Sequence, residues 1–161
     1  MATRVVLLMA LTLYILPLLF PVATATFHVK GSVYCDTCRA GFETNATFYI
    51  AGARVAIQCK ERKTMNVVFY TEGVTDSTGT YHIEVANDHN DHICQCLLLH
   101  SPLEGCNKAD PGRGRSSIVL THIKNGVVNH IHYANAMGYL KDKPLPQCKE
   151  LLKYYLSDSD V

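Results

Sequence analysis

Hydrophobic and polar residues alternate along much of the chain, which is the pattern of half-buried β-strands. The clearest example follows a turn predicted at residues 76–79, because Tyr81, Ile83 and Val85 fall on one face of an extended segment. The polar residues between them fall on the other face. Strand patterns also predict strands at residues 28–34, 48–61 (with a bend at Gly52) and 65–73. Residues 93–99 are apolar enough for a central strand.

A β-hairpin is predicted at residues 116–133, because Asn125-Gly126 suits a type I′ turn between two apolar runs. Pairing about this turn predicts two cross-strand pairs on one face, Leu120 with Ile131 and Ile118 with Tyr133. His130 and His132 then lie on the other face.

Helical spacing is found only near the end of the chain. After Pro146, four residues follow the i, i+3, i+4, i+7 pattern of one helix face: Cys148, Leu151, Leu152 and Tyr155. Many short strands between turns, followed by one helix, predict an all-β fold. We expect a compact antiparallel β-barrel or sandwich of about seven strands with a short C-terminal helix.

The first 25 residues differ from the rest of the chain. Arg4 precedes an uncharged apolar run that ends near Phe20, and Ala23-Thr24-Ala25 follows it. This order is typical of a secretory signal peptide, with cleavage between Ala25 and Thr26. The run is shorter than the ~20 residues that span a bilayer. We therefore expect residues 26–161 to form a single secreted, extracellular domain that does not insert into a membrane.

The charge of the predicted mature chain is close to zero. Removing Arg4 leaves 14 of the 15 Lys and Arg residues, against 14 Asp and Glu residues. A neutral balance argues against nucleic acid or anionic lipid as the main partner, because both attract strongly basic surfaces.

Seven cysteines lie beyond residue 25, and an oxidising compartment favours a disulfide framework with one cysteine left over. Cys35 and Cys38 form a Cys-x-x-Cys motif that fits a redox pair, half of a zinc site, or two separate disulfide anchors. A thioredoxin-type pair lies at the start of a helix, whereas a strand pattern precedes this motif. Separate structural bridges are therefore favoured.

Three polar features are candidate modification or metal sites. Asn45-Ala46-Thr47 is the only N-glycosylation sequon. The histidines of residues 88–92 (DHNDH) are interpreted as part of a polar loop without the packing partners of a rigid site. His130 and His132 offer two ligands without a third. We predict no metal, no cofactor and, because no nucleophile motif is present, no catalytic residue.

Five segments resemble, in order, the conserved blocks of the pollen Ole e I family of secreted plant proteins: GSVYCDTCRAGF (31–42), AGARVAIQCK, VTDSTGTYHIEV, HSPLEGC and NAMGYLKDKPLPQC. The resemblance extends over about residues 27–156. It implies a β-barrel or sandwich with three disulfides, and carried over by position these join Cys35 to Cys106, Cys38 to Cys148 and Cys59 to Cys94.

Cys96 departs from this six-cysteine pattern. Cys94 and Cys96 lie two residues apart on a predicted strand, so both point to one face and both could approach Cys59. The spacing to Cys106 within the family selects Cys94. Cys96 is then either a buried free thiol, which we favour, or a thiol that exchanges with a disulfide or forms a covalent dimer.

The resemblance also implies a function. It points to a non-enzymatic, allergen-like extracellular protein, acting in pollen or in wall and pollen-tube growth through a receptor kinase or a cell-wall component. We expect a monomer. The alternatives are a protease inhibitor that uses the HSPLEGC segment beside Cys106, or a thiol-disulfide enzyme that uses Cys35 and Cys38.

Overall fold

The computed structural model describes residues 26–121, 123–124, 127–128 and 130–157. These residues form twelve strands and one helix: β1 (Thr26–Asp36), β2 (Phe48–Tyr49), β3 (Arg54–Glu61), β4 (Val67–Val74), β5 (Thr80–Ala86), β6 (His92–His100), β7 (Lys108–Ala109), β8 (Arg115–Ile118), β9 (Ile123–Lys124), β10 (Val127–Val128), β11 (Ile131–Tyr133), β12 (Met137–Leu140) and α1 (Cys148–Ser157). Within these residues, no helix has the length and apolar character that crossing a membrane requires.

The larger sheet is built on β1, whose two edges are both paired. On one edge β1 runs antiparallel to β5, from Thr26 opposite Ala86 to Ser32 opposite Thr80, and then to β2. On the other edge it runs parallel to β11 and then to β12, which also pairs with β7. The result is a six-stranded mixed sheet.

The second sheet has the strand order β4-β3-β6-β8 and is antiparallel throughout. The central position predicted for residues 93–99 is confirmed, since β6 pairs with β3 on one side and with β8 on the other. Cys59 of β3 lies directly opposite Cys94 of β6 in this register.

One hydrophobic core combines residues of both sheets. The alternation predicted after residue 79 is confirmed, because Tyr81, Ile83 and Val85 are buried while His82 and Glu84 are exposed. Large side chains from other strands and from the segment after β8 fill the rest of the core: Phe27, Val29, Val33, Ile57, Leu120, Met137 and Tyr139. The β-sandwich with a short C-terminal helix is thus confirmed.

Two details of the predicted architecture differ from the structure. The sheets do not close into a barrel, and the fold is not purely antiparallel, because β1 has two parallel neighbours. The strand predicted over residues 48–61 is divided into β2 and β3 at the expected bend, where Gly52 has a φ of 74°. A positive φ is accessible to glycine without steric cost, so the chain turns there.

The long hairpin predicted at residues 116–133 is wrong. Only β9 and β10 pair with each other, in the expected register but over two residue pairs, and the turn residues Asn125 and Gly126 lie outside the described residues. β8 pairs instead with β6, and β11 with β1. Ile118 is therefore buried while Tyr133, its predicted partner, is 75% exposed. Pairing with a large sheet satisfies backbone groups that an isolated ladder leaves to water.

The C-terminal helix lies against the segment that follows β1. The Tyr155 ring packs edge-on against Phe42 at 5.6 Å, and the Tyr155 hydroxyl accepts a hydrogen bond of 3.2 Å from the Asn45 backbone N–H. At its first residue, Cys148, the helix is bonded covalently to Cys38. These contacts stabilise a ten-residue helix that is too short to be stable alone.

We expect Gly31→Ala to lower the free energy of unfolding, because a Cβ at Gly31 would overlap the phenol ring of the fully buried Tyr81. Overpacking of this kind costs about 1–3 kcal/mol. The matched control is Gly112→Ala in an exposed loop, where the nearest atom beyond the chain neighbours, Asp110 Oδ1, lies 3.4 Å from the added Cβ. Equal urea midpoints for the two variants would contradict the close approach of Tyr81 to β1.

Candidate functional site

The Cys-x-x-Cys motif lies where β1 ends, and the buried carboxylate of Asp36 organises it. Asp36 Oδ1 accepts hydrogen bonds from the backbone N–H groups of Cys38 (3.2 Å) and Ala40 (3.0 Å), and Oδ2 accepts one from Gly41 (2.7 Å). Buried carboxylates are costly unless hydrogen-bonded, so the loop must fold around this one. Cys35 is still within β1, whereas Cys38 lies beyond its end. The loop that folds around Asp36 therefore orients the two cysteines differently.

Three disulfides are present, and they join the same pairs that the family resemblance implies. Cys35 bonds Cys106, Cys38 bonds Cys148, and Cys59 bonds Cys94, with Cα–Cα distances of 6.0, 5.2 and 4.0 Å. All six cysteines are buried. The two sulfurs of the Cys-x-x-Cys motif thus connect to different parts of the chain rather than to each other.

Cys96 is free and fully buried on β6, beside the hydroxyl of Tyr81. Burial raises the pKa of the Cys96 thiol, and the Tyr81 hydroxyl opposes this shift in smaller measure. The thiolate is the nucleophilic form, so a raised pKa makes the group slow to exchange. This placement favours the buried free thiol over a covalent dimer.

The predicted polar segment at residues 88–92 covers the end of the loop between β5 and β6 and the first residue of β6, His92, but its histidines are packed. His89 is only 7% exposed, and its ring lies 4.9 Å from that of Phe69. Its Nδ1 atom is 3.1 Å from Nδ1 of His92. Burial lowers the pKa of His89, and a smaller effect of the Ala86 carbonyl opposes this shift. The expectation that this segment lacks packing partners is therefore wrong for His89.

His89 also lies next to a disulfide. One of its ring nitrogens and the sulfurs of Cys59 and Cys94 are all within 4.8 Å of one another, and all three residues are buried. A groove of about 210 Å³ opens beside them and is lined by His92, Cys94 and residues of β8. The family resemblance implies the Cys59–Cys94 pair, but sequence reasoning missed His89, because it interpreted residues 88–92 as a polar loop without packing partners.

The remaining predicted features are separate from this cluster. The ring of His132 packs edge-on against Phe27 at 5.1 Å, whereas His130 is exposed. Asn45 is exposed in the loop before β2, in keeping with an accessible sequon. The HSPLEGC segment forms a tight turn, in which the Cys106 N–H donates to the Leu103 carbonyl at 3.2 Å. Such a turn does not offer the extended backbone that strand-type recognition requires.

We expect the double variant Cys38→Ser, Cys148→Ser to keep its β-sheets while α1 loses protection against amide hydrogen exchange. The bridge spans 110 residues, and closing a loop of that length stabilises the fold by about 4–5 kcal/mol in the chain-entropy account. The single variant Cys38→Ser is the comparison, since it leaves Cys148 unpaired and should be recovered in lower yield. A Cys35–Cys38 bridge in a non-reduced peptide map of the unmodified protein would contradict the anchoring role.

Comparison with known proteins agrees with this geometry. Residues 25–156 match the family described as pollen protein Ole e 1 like. The chain is 47% identical over 154 residues to Protein DOWNSTREAM OF FLC of Arabidopsis thaliana, covering 96% of this chain and 93% of that protein. It is 47% identical over 132 residues to Pollen-specific protein C13 of Zea mays, covering 82% and 77%. The crystal structure of the major plantain pollen allergen Pla l 1 matches it with a TM-score of 0.68 at 26% identity, covering 77% of this chain and 100% of that chain. The family resemblance is confirmed, and the chain belongs to the Ole e 1-like family of pollen proteins.

Proposed function

We propose that this protein is exported and acts outside the cell as a non-catalytic binding module, in pollen or in pollen-tube and wall growth, through a surface receptor or a wall component. The family supports the setting, since relatives are named as pollen-specific proteins and pollen allergens. The three disulfides fit an oxidising compartment. On this proposal residues 1–25 are removed as a signal peptide and residues 26–161 form the mature domain.

The observation that carries the proposal is the separation of the two Cys-x-x-Cys sulfurs. A thiol-disulfide enzyme cycles between a dithiol and a bridge within the motif, and its attacking sulfur must be accessible as a thiolate. Here Cys35 is 0% exposed and Cys38 is 4% exposed, and each is bonded to a distant cysteine. This arrangement speaks for a scaffold and against catalysis by Cys35 and Cys38.

A scaffold and an enzyme differ in their need for free thiols. The framework presents a preformed surface, and rigid partners lose less conformational freedom on binding. Cys96 is the free cysteine among the described residues, and its burial keeps its thiol out of contact with a binding protein. Binding should therefore depend on the intact bridges and not on a reactive thiol.

Export is tested by expressing the full chain in plant cells. We expect the secreted protein to begin at Thr26 and to show one glycoform series that disappears in Asn45→Gln, because the exposed Asn45 lies in the only sequon. The matched control is Asn107→Gln, an exposed asparagine outside any sequon, whose glycoforms should be unchanged. Recovery of protein that retains Met1 would contradict export, and unchanged mobility of Asn45→Gln would show that the sequon is unused.

The binding role is tested with labelled mature protein on germinating pollen tubes, their isolated walls and their protoplasts. We expect saturable binding that survives treatment of the native protein with iodoacetamide, because its bridged and buried cysteines do not react. Protein that is reduced before alkylation should lose binding, since the framework is opened. Binding to walls alone would identify a wall partner, and binding to protoplasts a surface receptor. Loss of binding after native alkylation, or turnover of a disulfide substrate, would refute the proposal.

A further inference from the structure

We propose that reduction of the Cys59–Cys94 disulfide creates a zinc site, formed by these two cysteines and His89. The bridge is then a redox-gated metal site. The sequence predicts no metal site, because His130 and His132 lack a third ligand and residues 88–92 are interpreted as a polar loop. The fold supplies the missing ligands as two sulfurs from neighbouring strands. The inference does not depend on the proposed extracellular binding role.

The distances suit zinc after a small rearrangement. The three ligand atoms lie within 4.8 Å of one another. Zinc–sulfur bonds of about 2.3 Å and zinc–nitrogen bonds of about 2.0–2.1 Å place tetrahedral ligand atoms roughly 3.3–3.8 Å apart. Opening the bridge lets the sulfurs separate toward that spacing, and the His89 nitrogen needs to move by about 1 Å, which is within the reach of side-chain rotation.

Reduction leaves the two cysteines in place because the backbone holds them. β3 and β6 are paired over eight residues, from Arg54 opposite His100 to Glu61 opposite His92. Cys94 is also paired on its other side, with Ile118 of β8. The thiols formed on reduction would therefore still face each other from adjacent strands, as a preorganised pair of ligands.

His89 is prepared to act as the nitrogen ligand. In the tautomer with its proton on Nδ1, it donates to Nδ1 of His92, 3.1 Å away, and Nε2 carries the lone pair. Nε2 is buried and has no hydrogen-bond partner among the described residues. Metal-bound histidines commonly donate their other N–H in this way, and the contact orients the ring.

The chemistry balances with a dithiol as the reductant. The dithiol gives two electrons and two protons to the Cys59–Cys94 bridge, which becomes two thiols while the dithiol becomes a disulfide. A zinc dication then displaces the two thiol protons, and the two thiolates neutralise its charge, so the buried centre carries no net charge. A water completes the four ligands. The groove beside Cys94 and His92 gives the reductant and the metal an approach.

The test uses the mature chain, oxidised or titrated with dithiothreitol, with differential alkylation to identify the opened bridge and circular dichroism to monitor the sheets. Zinc uptake is measured in competition with a chromogenic chelator, and cobalt is the spectroscopic probe. We expect one zinc per chain when Cys59 and Cys94 are reduced and none when they are bridged. Cobalt bound to the reduced protein should show the absorption bands of a tetrahedral site, together with thiolate-to-metal charge transfer.

Three variants locate the ligands. Cys59→Ser, Cys94→Ser should abolish uptake, and His89→Gln should weaken it by at least the 10–100-fold that is typical of outer-shell changes. The matched control is His100→Gln, which removes an exposed histidine from β6, the strand that contains Cys94. This variant should bind zinc as the unmodified protein does. Cys96→Ser should leave the stoichiometry unchanged, which keeps the buried free thiol out of the count.

Several results would overturn the proposal. They are equal zinc uptake by the oxidised protein, by the double serine variant or by His89→Gln, and absence of uptake when the Cys59–Cys94 bridge is open and the sheets are intact. Loss of the sheets on opening this bridge would also overturn it, since the site requires the folded ladder. If His89→Gln fails to fold, cobalt charge transfer without an imidazole signal in the reduced, unmodified protein would count against His89.

Discussion

The buried carboxylate of Asp36 holds the end of β1 in the conformation on which two disulfides and the helix depend. It collects three backbone N–H groups from the loop that follows, and this places Cys35 within the strand and Cys38 beyond it. The same short segment receives the returning chain, since the carbonyls of Asp36 and Thr37 accept hydrogen bonds from the N–H groups of Lys141 and Leu145. The start and the end of the domain are therefore joined at one point, by backbone bonds and by sulfur.

The parts of the fold that local pattern determines could be predicted. The alternation of Tyr81, Ile83 and Val85 with polar residues reflects the two-residue period of a strand packed on one face. In the structure these three residues are buried on β5 and the residues between them are exposed. The helix spacing after Pro146 and the bend at Gly52 are local in the same sense. Each depends only on residues a few positions apart, so a single sequence carries the information.

The choice of strand partners could not be predicted, because it depends on which sheet edges are free elsewhere. Asn125-Gly126 favours a hairpin, and two residue pairs of it form. The arms then separate, β8 to β6 and β11 to β1, since each sheet edge offers hydrogen bonds to the arm. The approach of His89 to the Cys59–Cys94 bridge was missed because it too depends on tertiary packing. The loop that contains His89 has a polar sequence, yet it packs beside Cys59 and Cys94. These two cysteines are 35 positions apart in the sequence and are brought together by strand pairing.

The three disulfides do not constrain the chain equally, and this difference separates a structural role from a chemical one. Cys35–Cys106 and Cys38–Cys148 span 71 and 110 residues and connect β1 to distant segments. Cys59–Cys94 spans 35 residues and joins strands that are already paired by backbone hydrogen bonds. In the chain-entropy account its loop contributes about 4 kcal/mol, against nearly 5 kcal/mol for the longest loop. Of the three bridges, this is the one that joins two strands already paired with each other, and it is also the one with His89 beside it. These two features together carry the proposal that its opening creates a metal site.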